Sequence, residues 1–297
     1  MTSSTSSYER VDSREPLDAR TFQHEYVNRR PVVMKGALKD LEAVSRWDIP
    51  YLASLAPDLP VRLKTGRLAE GATTTQTLGE YSAFVDDLTA GRVTYDGPPP
   101  YLHDLPLFAM IPALRKDIDR FPAQLLPRFF RQQWWTFMQF FVGPQESLTP
   151  LHFDSLQTHN LFFQIHGTKR FLIVNPADRR YCYTYNWRWS HVDPENPDLE
   201  LHPLFRQARV SECMVEAGDL LYMPPGALHH VRSLSSSISF NIDWHDRRSA
   251  VRGLTAAWAG MPRQNLRYNA LFALGVWFGL PLRSLLPGLK SYFYYVS

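Results

Sequence analysis

Cysteine and long hydrophobic runs are both scarce in this sequence. Its 297 residues include only Cys182 and Cys213, so at most one disulfide can form and a disulfide-dense secreted scaffold is excluded. The longest apolar stretch, 270–282, has about 13 residues and contains Gly275 and Gly279, whereas a membrane span needs roughly 20. We therefore predict a cytoplasmic protein whose two cysteines stay reduced and which has no transmembrane segment. We expect 270–282 to form a buried or partner-facing helix, with a membrane-surface element as the alternative.

Neither sign of charge is in large excess. The sequence has 32 basic and 29 acidic residues, a formal net charge of +3, and the basic residues are scattered along it. This distribution predicts no patch for binding nucleic acid. Residues 1–7 are polar with no apolar segment behind them, so no secretory signal is expected. Apolar residues are abundant, at 44% of the chain, and suffice for a packed core.

The pattern of apolar residues divides the chain into four segments. Residues 1–16 are polar and predict a disordered terminus, and 17–133 mix short helical and strand signals. Residues 134–247 show short β-type runs separated by Gly, Pro, Asn and Asp, and 248–297 are helical. The predicted strands of the third segment are 135–142, 149–153, 160–166, 169–174, 210–215, 219–223, 229–233 and 237–242. We predict a mainly β fold with a double-stranded β-helix (jelly-roll or cupin) core, flanked by N-terminal α/β elements and C-terminal helices.

The tripeptide 152–154 predicts part of a metal site. His152 and Asp154 are two residues apart, so on a strand their side chains point to the same face. A histidine from a later strand, His229 or His230, would complete a set of two imidazoles and one carboxylate; alternation places these two on opposite faces and does not say which faces inward. Such a set leaves one side of the metal open, as in non-haem Fe(II) oxygenases. Catalytic zinc accepts the same donors, but a hydrolase would need a general base near the metal, and no such motif is present.

Three segments in the same order resemble the JmjC-type oxygenases, in their cupin-like hydroxylase branch. They are LTPLHFD (148–154), FFQIHGTKRFLIV (162–174) and EAGDLLYMPPGALHHV (216–231). The resemblance covers roughly 137–244, with a looser similarity at 30–36. The asparaginyl hydroxylase that acts on hypoxia-inducible factor belongs to this branch.

The resemblance implies Fe(II), 2-oxoglutarate as cosubstrate, and O₂. It implies the first histidine of the pair, His229, as the third ligand beside His152 and Asp154. It also implies a set of residues around the cosubstrate and the metal, namely Lys169 and Thr149 for the distal carboxylate of 2-oxoglutarate, Asn160 and Asn241 lining the pocket, and Tyr101 as a further hydroxyl donor. From the residues alone, Lys169 or Arg170 could face inward. The remaining histidines, among them His103, lack a partner at ligand spacing and are expected to be satisfied surface or core residues.

The expected reaction is hydroxylation of an unactivated C–H bond, by an enzyme acting on a small molecule or peptide. We expect the substrate to be an amino-acid side chain in a protein or a peptide-like molecule. The alternatives are a non-catalytic cupin that binds a metal or ligand, and a hydroxylase of a tRNA base, lipid or natural product. Trp187 and Trp189, in the insertion 181–205, could line the substrate cleft. The apolar faces of the C-terminal helices suit a homodimer interface.

Overall fold

Two β-sheets form the centre of the molecule. The computed structural model of the chain describes residues 8–66, 71–131 and 133–295. In chain order its strands are Glu9–Arg10 (β1), Asp12–Arg14 (β2), Val32–Met34 (β3), Pro60–Lys64 (β4), Thr73–Thr77 (β5), Tyr101–Leu105 (β6), Met138–Gly143 (β7), Leu148–His152 (β8), His159–His166 (β9), Thr168–Val174 (β10), Thr184–Tyr185 (β11), Trp189–Ser190 (β12), Val210–Glu216 (β13), Leu220–Met223 (β14), Leu228–Ser233 (β15) and Ser237–Trp244 (β16).

Along the sequence, helices lie before and after the strands of the barrel. The α-helices are Ala19–Glu25 (α1), Glu42–Arg46 (α2), Ile49–Leu55 (α3), Leu78–Thr89 (α4), Leu107–Met110 (α5), Arg128–Arg131 (α6), Arg247–Thr255 (α7), Arg263–Phe278 (α8) and Leu282–Tyr295 (α9). Short 3-10 helices cover Pro112–Ile118, Ala123–Leu125, Trp134–Phe137, Pro176–Tyr181, Pro203–Gln207 and Ala256–Ala259.

The eight strands predicted for the third segment are all present and form the double-stranded β-helix. One sheet has the order β1-β13-β10-β15-β8-β12-β11, and the other β2-β3-β14-β9-β16-β7-β6-β4-β5. The barrel is therefore made of β13, β10, β15 and β8 facing β14, β9, β16 and β7. Inward-facing apolar side chains, Phe162, Phe171, Ile173 and Val231 among them, pack together between the sheets. The predicted jelly-roll fold is confirmed.

The N-terminal part extends the barrel sheets. Strands β3 and β6 pair with β14 and β7, and β4 and β5 continue the second sheet outward. The prediction of disorder over 1–16 is wrong for 9–14, where β1 pairs in parallel with β13 and β2 with β3. The polar composition of this segment was misleading because an edge strand is held by its main-chain hydrogen bonds and needs no buried side chains. Residues 1–7 lie outside the described residues.

The C-terminal helices pack largely on their own chain. α7 begins at the capping box of Asp246 and Ser249, and α8 packs against both α7 and α9. On the apolar faces that suit a homodimer interface, Leu282 and Leu285 lie in the core, whereas Trp277 and Phe278 stay exposed. Dimerisation through these helices remains a prediction. Among the helices of the described ranges, none combines the length and the hydropathy needed to cross a bilayer.

Candidate metal centre and cosubstrate cavity

Two histidines and an aspartate meet at one end of the barrel. β8 ends at His152, Asp154 follows two residues later, and β15 places His229 directly opposite His152 in the antiparallel ladder. One donor atom from each of the three lies within 4.8 Å of the others. His229 Nε2 is 3.8 Å from an Asp154 carboxylate oxygen, and the two imidazole centroids are 4.3 Å apart. The strand pairing therefore brings together the three residues that the sequence predicted.

Backbone carbonyls orient both imidazoles. His152 Nδ1 lies 2.8 Å from the carbonyl oxygen of Pro150, and His229 Nδ1 lies 3.3 Å from that of Ala227. Because a carbonyl can only accept, each Nδ1 carries the hydrogen and each Nε2 keeps its lone pair. Burial lowers the pKa of both rings, which favours the neutral form that metals bind. The third donor is also oriented, since Asn160 Nδ2 donates to Asp154 at 3.1 Å.

His230 faces the opposite side of β15. Its Nε2 lies 3.3 Å from a Glu195 oxygen, and Asp193 and Glu195 form a second group of possible donors with it. Glu195 is already bound by two guanidinium groups, those of Arg232 and Arg170. Two adjacent positive charges oppose a cation there. The alternation of β15 thus gives the two histidines different surroundings, and the one in the cavity is His229.

Lys169 points into the same cavity and, among the described residues, has no acidic partner there. It is 1% exposed, and its Nζ donates to the hydroxyls of Tyr101 at 2.8 Å and Ser239 at 2.9 Å. The ammonium also lies over the rings of Phe141 and Phe162. Burial lowers the pKa of Lys169 from 10.5 to about 7. A buried cation among aromatic rings and neutral hydroxyls is a site for an anion.

The other predicted residues are also around this cavity. Thr149 and Asn241 line it together with Asn160. Asn241 Nδ2 donates to Asp243 at 3.1 Å, while its side-chain oxygen and that of Asn160 are buried with no hydrogen-bond partner in the part of the chain that the structure describes. Unsatisfied buried acceptors cost free energy unless a ligand or water supplies a donor. The two amides are therefore available to a bound molecule.

Sequence reasoning missed several polar residues of the cavity. His103, Asp104, Gln139, Arg188 and Asp243 also line it. Asp243 could have been found from its alternation with Asn241 on β16. His103 and Asp104 gave no such signal, because β6 is irregular between residues 103 and 105, where Asp104 has φ +63°, and neither did Arg188, which comes from the insertion. His103 is buried and paired with Asp104 at 2.8 Å, as expected of a core histidine, and it also lines the cavity.

The missed residues create a second electrostatic environment opposite Lys169. Burial lowers the pKa of His103 to about 4, so this imidazole is neutral at pH 7. Burial raises the pKa of Asp243 well above its usual range, and the like charges of Asp154 and Asp104 raise it further. Lys169 and Asp243 thus have different surroundings within one cavity. Such a cavity can hold an anion at one end and a polar or cationic group at the other.

The insertion 181–205 closes one side of the metal centre. Its hairpin, β11 and β12, pairs with β8, and the ring of Trp189 packs on His152 at 5.0 Å between centroids. Trp187 packs against Phe153 and donates its Nε1–H to the carbonyl of Ser155. Neither tryptophan is among the described residues that line the cavity, so their place in a substrate cleft remains a prediction; Trp187 supports the segment behind the ligand strand.

Comparisons with known proteins identify the family. The family model described as a cupin-like domain matches residues 19–250. The chain belongs to this family. It is 30% identical over 244 residues to lysine-specific demethylase JMJ30 of Arabidopsis thaliana, covering 79% of this chain and 54% of that protein. It is 28% identical over 248 residues to JmjC domain-containing protein D of Dictyostelium discoideum, covering 75% and 54%. It is 27% identical over 241 residues to human tRNA wybutosine-synthesizing protein 5, covering 75% and 73%.

Family membership places this cupin-like chain in an oxygenase class and confirms the predicted resemblance to JmjC proteins. The JmjC oxygenases use Fe(II), 2-oxoglutarate and O₂, and the donor set of His152, Asp154 and His229 is of the type that such centres use. The chain spans about half the length of several curated relatives that it matches.

Proposed function

We propose that this protein hydroxylates an unactivated C–H bond in an Fe(II)- and 2-oxoglutarate-dependent reaction, with His152, Asp154 and His229 as the iron ligands. The observation that carries the proposal is the convergence of these donors with an unpaired buried lysine in one cavity. When bound, the iron supplies the chemistry that couples oxidative decarboxylation of 2-oxoglutarate to insertion of one oxygen atom into the substrate. The cupin barrel supplies the binding site and excludes water.

The protein residues hold the donors in one protonation state. The Nδ1–H groups of His152 and His229 remain on their backbone carbonyls, so the Nε2 lone pairs stay available to the metal. Asn160 holds one oxygen of Asp154 and leaves the other free for the metal. These contacts reduce the reorganisation that metal binding requires.

Lys169 binds the distal carboxylate of 2-oxoglutarate in this proposal. Tyr101 and Thr149 supply hydroxyls beside it, and the aromatic walls keep the ion pair dry. A carboxylate offers a strong charge-assisted bond to an ammonium group that is otherwise paired only with neutral oxygens. Asn241 and Gln139, whose side chains each have an unsatisfied buried atom, are available to the remaining oxygens or to the substrate.

The substrate we favour is an amino-acid side chain in a protein or peptide. The end of the cavity away from Lys169 carries carboxylates, amides and Arg188, which suit a polar side chain with an adjoining peptide group. Relatives named lysine-specific demethylases support a side-chain substrate. The relative named for tRNA wybutosine synthesis makes a tRNA base the competing class.

Succinate formation tests the reaction. Purified protein is incubated with Fe(II), ascorbate and 2-oxoglutarate, with peptide libraries or total tRNA as substrates, and products are examined for the gain of one oxygen atom. Asp154→Ala, which lacks the proposed carboxylate ligand, is the control. We expect succinate and hydroxylated product from the unmodified chain alone. Succinate no higher than in the control across all substrates would refute the enzymatic proposal and leave a non-catalytic metal-binding cupin.

A further inference from the structure

A second feature lies outside the metal cavity, in a cleft of about 1180 Å³. Its walls are α1, the 3-10 helix Ala123–Leu125, the end of α6 and the start of α7. Five arginines line it, and we call it the arginine cleft: Arg20, Arg29, Arg131, Arg247 and Arg248. Arg29 also lines an adjoining cleft of about 530 Å³ beside β2, so the basic groove continues along the surface. Clefts for small molecules span roughly 300–1,000 Å³, and this groove exceeds that range.

The described part of the chain does not neutralise the positive charge of the arginine cleft. Asp246 is the one carboxylate on the described lining, and it is engaged by the backbone N–H of Ser249 and the amide of Asn28. Arg131 donates to two backbone carbonyls and Arg247 lies over the ring of Trp277. The other three guanidinium groups are those of Arg20, Arg29 and Arg248. Within the described ranges, no carboxylate lies within ion-pair distance of them.

The C-terminal segment that contributes α7 to the cleft carries only positive charges. No aspartate or glutamate follows Asp246, while residues 247–297 contain six arginines and one lysine. The basic residues are scattered along the sequence, but the fold brings α1 and α7 together although they are more than 200 positions apart. Like charges around one groove repel each other, and an anionic partner relieves that repulsion.

Exposed aromatic rings next to the cleft indicate what kind of anion fits. Trp277 is 44% exposed and contacts Arg247, and the neighbouring Phe278 is 77% exposed. Unpaired bases stack on such rings while arginines hold the phosphates. The neutral amides of Gln23 and Gln124 also line the cleft, and an amide can both donate to and accept from a ribose 2′-hydroxyl. A bilayer is a poorer match, because these arginines line a concave groove and a flat surface cannot reach them.

We propose that the arginine cleft binds single-stranded RNA, with the arginines on the phosphates and Trp277 against a base. The surface is separate from the metal cavity, so the proposal does not depend on the reaction proposed above. The RNA would anchor the protein near its substrate, whether that substrate is a protein on the RNA or the RNA itself.

Fluorescence anisotropy with a labelled mixed-sequence RNA, at 50 to 200 mM salt, tests the proposal on the full chain. The double variant Arg29→Gln/Arg248→Gln removes two phosphate contacts. The slope of log K for RNA binding against log[salt] should therefore become shallower by about 1.4. The control, Arg92→Gln/Lys116→Gln, removes the same charge from exposed positions outside both clefts and should leave the slope unchanged. Trp277→Ala should weaken RNA binding at least about fivefold and leave heparin binding unchanged.

Five results would overturn the assignment. They are the absence of RNA binding, equal losses in the cleft and control variants, equal affinity for DNA of the same sequence, loss of RNA binding in Asp154→Ala, and parallel loss of heparin binding in Trp277→Ala. Binding to phosphatidylserine vesicles in place of RNA would assign the surface to a membrane. RNA binding that persists in Asp154→Ala while succinate formation stops would support both proposals separately.

Discussion

Lys169→Met should make the protein without ligands more stable while removing its affinity for 2-oxoglutarate. Lys169 is buried, and burial lowers its pKa from 10.5 to about 7. At 1.36 kcal/mol per pH unit, holding this ammonium in the folded protein costs about 5 kcal/mol. The folded pKa lies below the unfolded one, so the full cost applies below pH 7 and disappears as the pH rises to 10.5. Methionine fills similar space without charge.

The substitution also removes two hydrogen bonds, which reduces the gain. The hydroxyls of Tyr101 and Ser239 lose their contact with the ammonium, at a cost of about 1 kcal/mol each. The net stabilisation at pH 6 is then about 3 kcal/mol, or a rise in Tm of roughly 6 °C. Differential scanning calorimetry of the metal-free, ligand-free protein measures it. A lower Tm for Lys169→Met than for the unmodified protein would refute the inference that Lys169 is an uncompensated buried cation.

The same variant should lose 2-oxoglutarate specifically. Removing one member of a buried ion pair costs about 2–5 kcal/mol, so the Kd for 2-oxoglutarate should rise at least about thirtyfold, while the Kd for the metal changes little. In the unmodified protein the same Kd should rise about tenfold per pH unit above pH 7, because binding then requires protonation of Lys169. Isothermal titration with Zn(II) in place of Fe(II) measures both constants.

The matched control for this experiment is Arg170→Met. It removes a positive charge from the opposite face of β10, where Arg170 pairs with Glu195 and Glu212. It should lower the Tm and leave 2-oxoglutarate binding unchanged. Equal loss of 2-oxoglutarate binding in both variants would show that Lys169 has no special role.

Two further predictions concern the metal centre and its surroundings. His229→Ala should reduce metal affinity by more than about tenfold, whereas His230→Ala, which loses only its contact with Glu195, should retain it; the opposite ranking in a metal titration would refute our choice of ligand. Gly143→Ala would place a Cβ 2.6 Å from the Tyr101 ring, so the Tyr101–Lys169 contact should be displaced and the KM for 2-oxoglutarate raised. Unchanged KM and an unchanged metal Kd would show that Tyr101 does not position Lys169.

The elements that sequence could predict are those set by local patterns. Alternation on short strands separated by turn residues located all eight barrel strands, with differences of up to three residues at their ends. The same alternation placed His152 and Asp154 on one face. The choice between His229 and His230 needed more than alternation, since the pattern allows either face.

The elements that escaped prediction depend on tertiary contacts. Asp104 enters the cavity at an irregularity of β6 with a positive φ, which no sequence pattern signalled. Arg188 arrives on a hairpin whose position is set by pairing with β8. The arginine cleft combines residues from both ends of the chain. In the sequence each of these is an isolated polar residue, because the contacts that bring it to its site are made with residues far away along the chain.

The register of β10 and β15 explains how one cavity contains both a lysine and a neutral histidine. Interior positions of the pair carry Lys169 and His229, and the next residues in each strand face the outside. A slip of one residue would turn the outer groups inward and both functional side chains outward. Glu195 opposes that slip, since it binds three outer groups at once, those of Arg170, His230 and Arg232. The insertion therefore does more than cover the metal centre: through Glu195 it holds the two strands in the register on which the cavity depends.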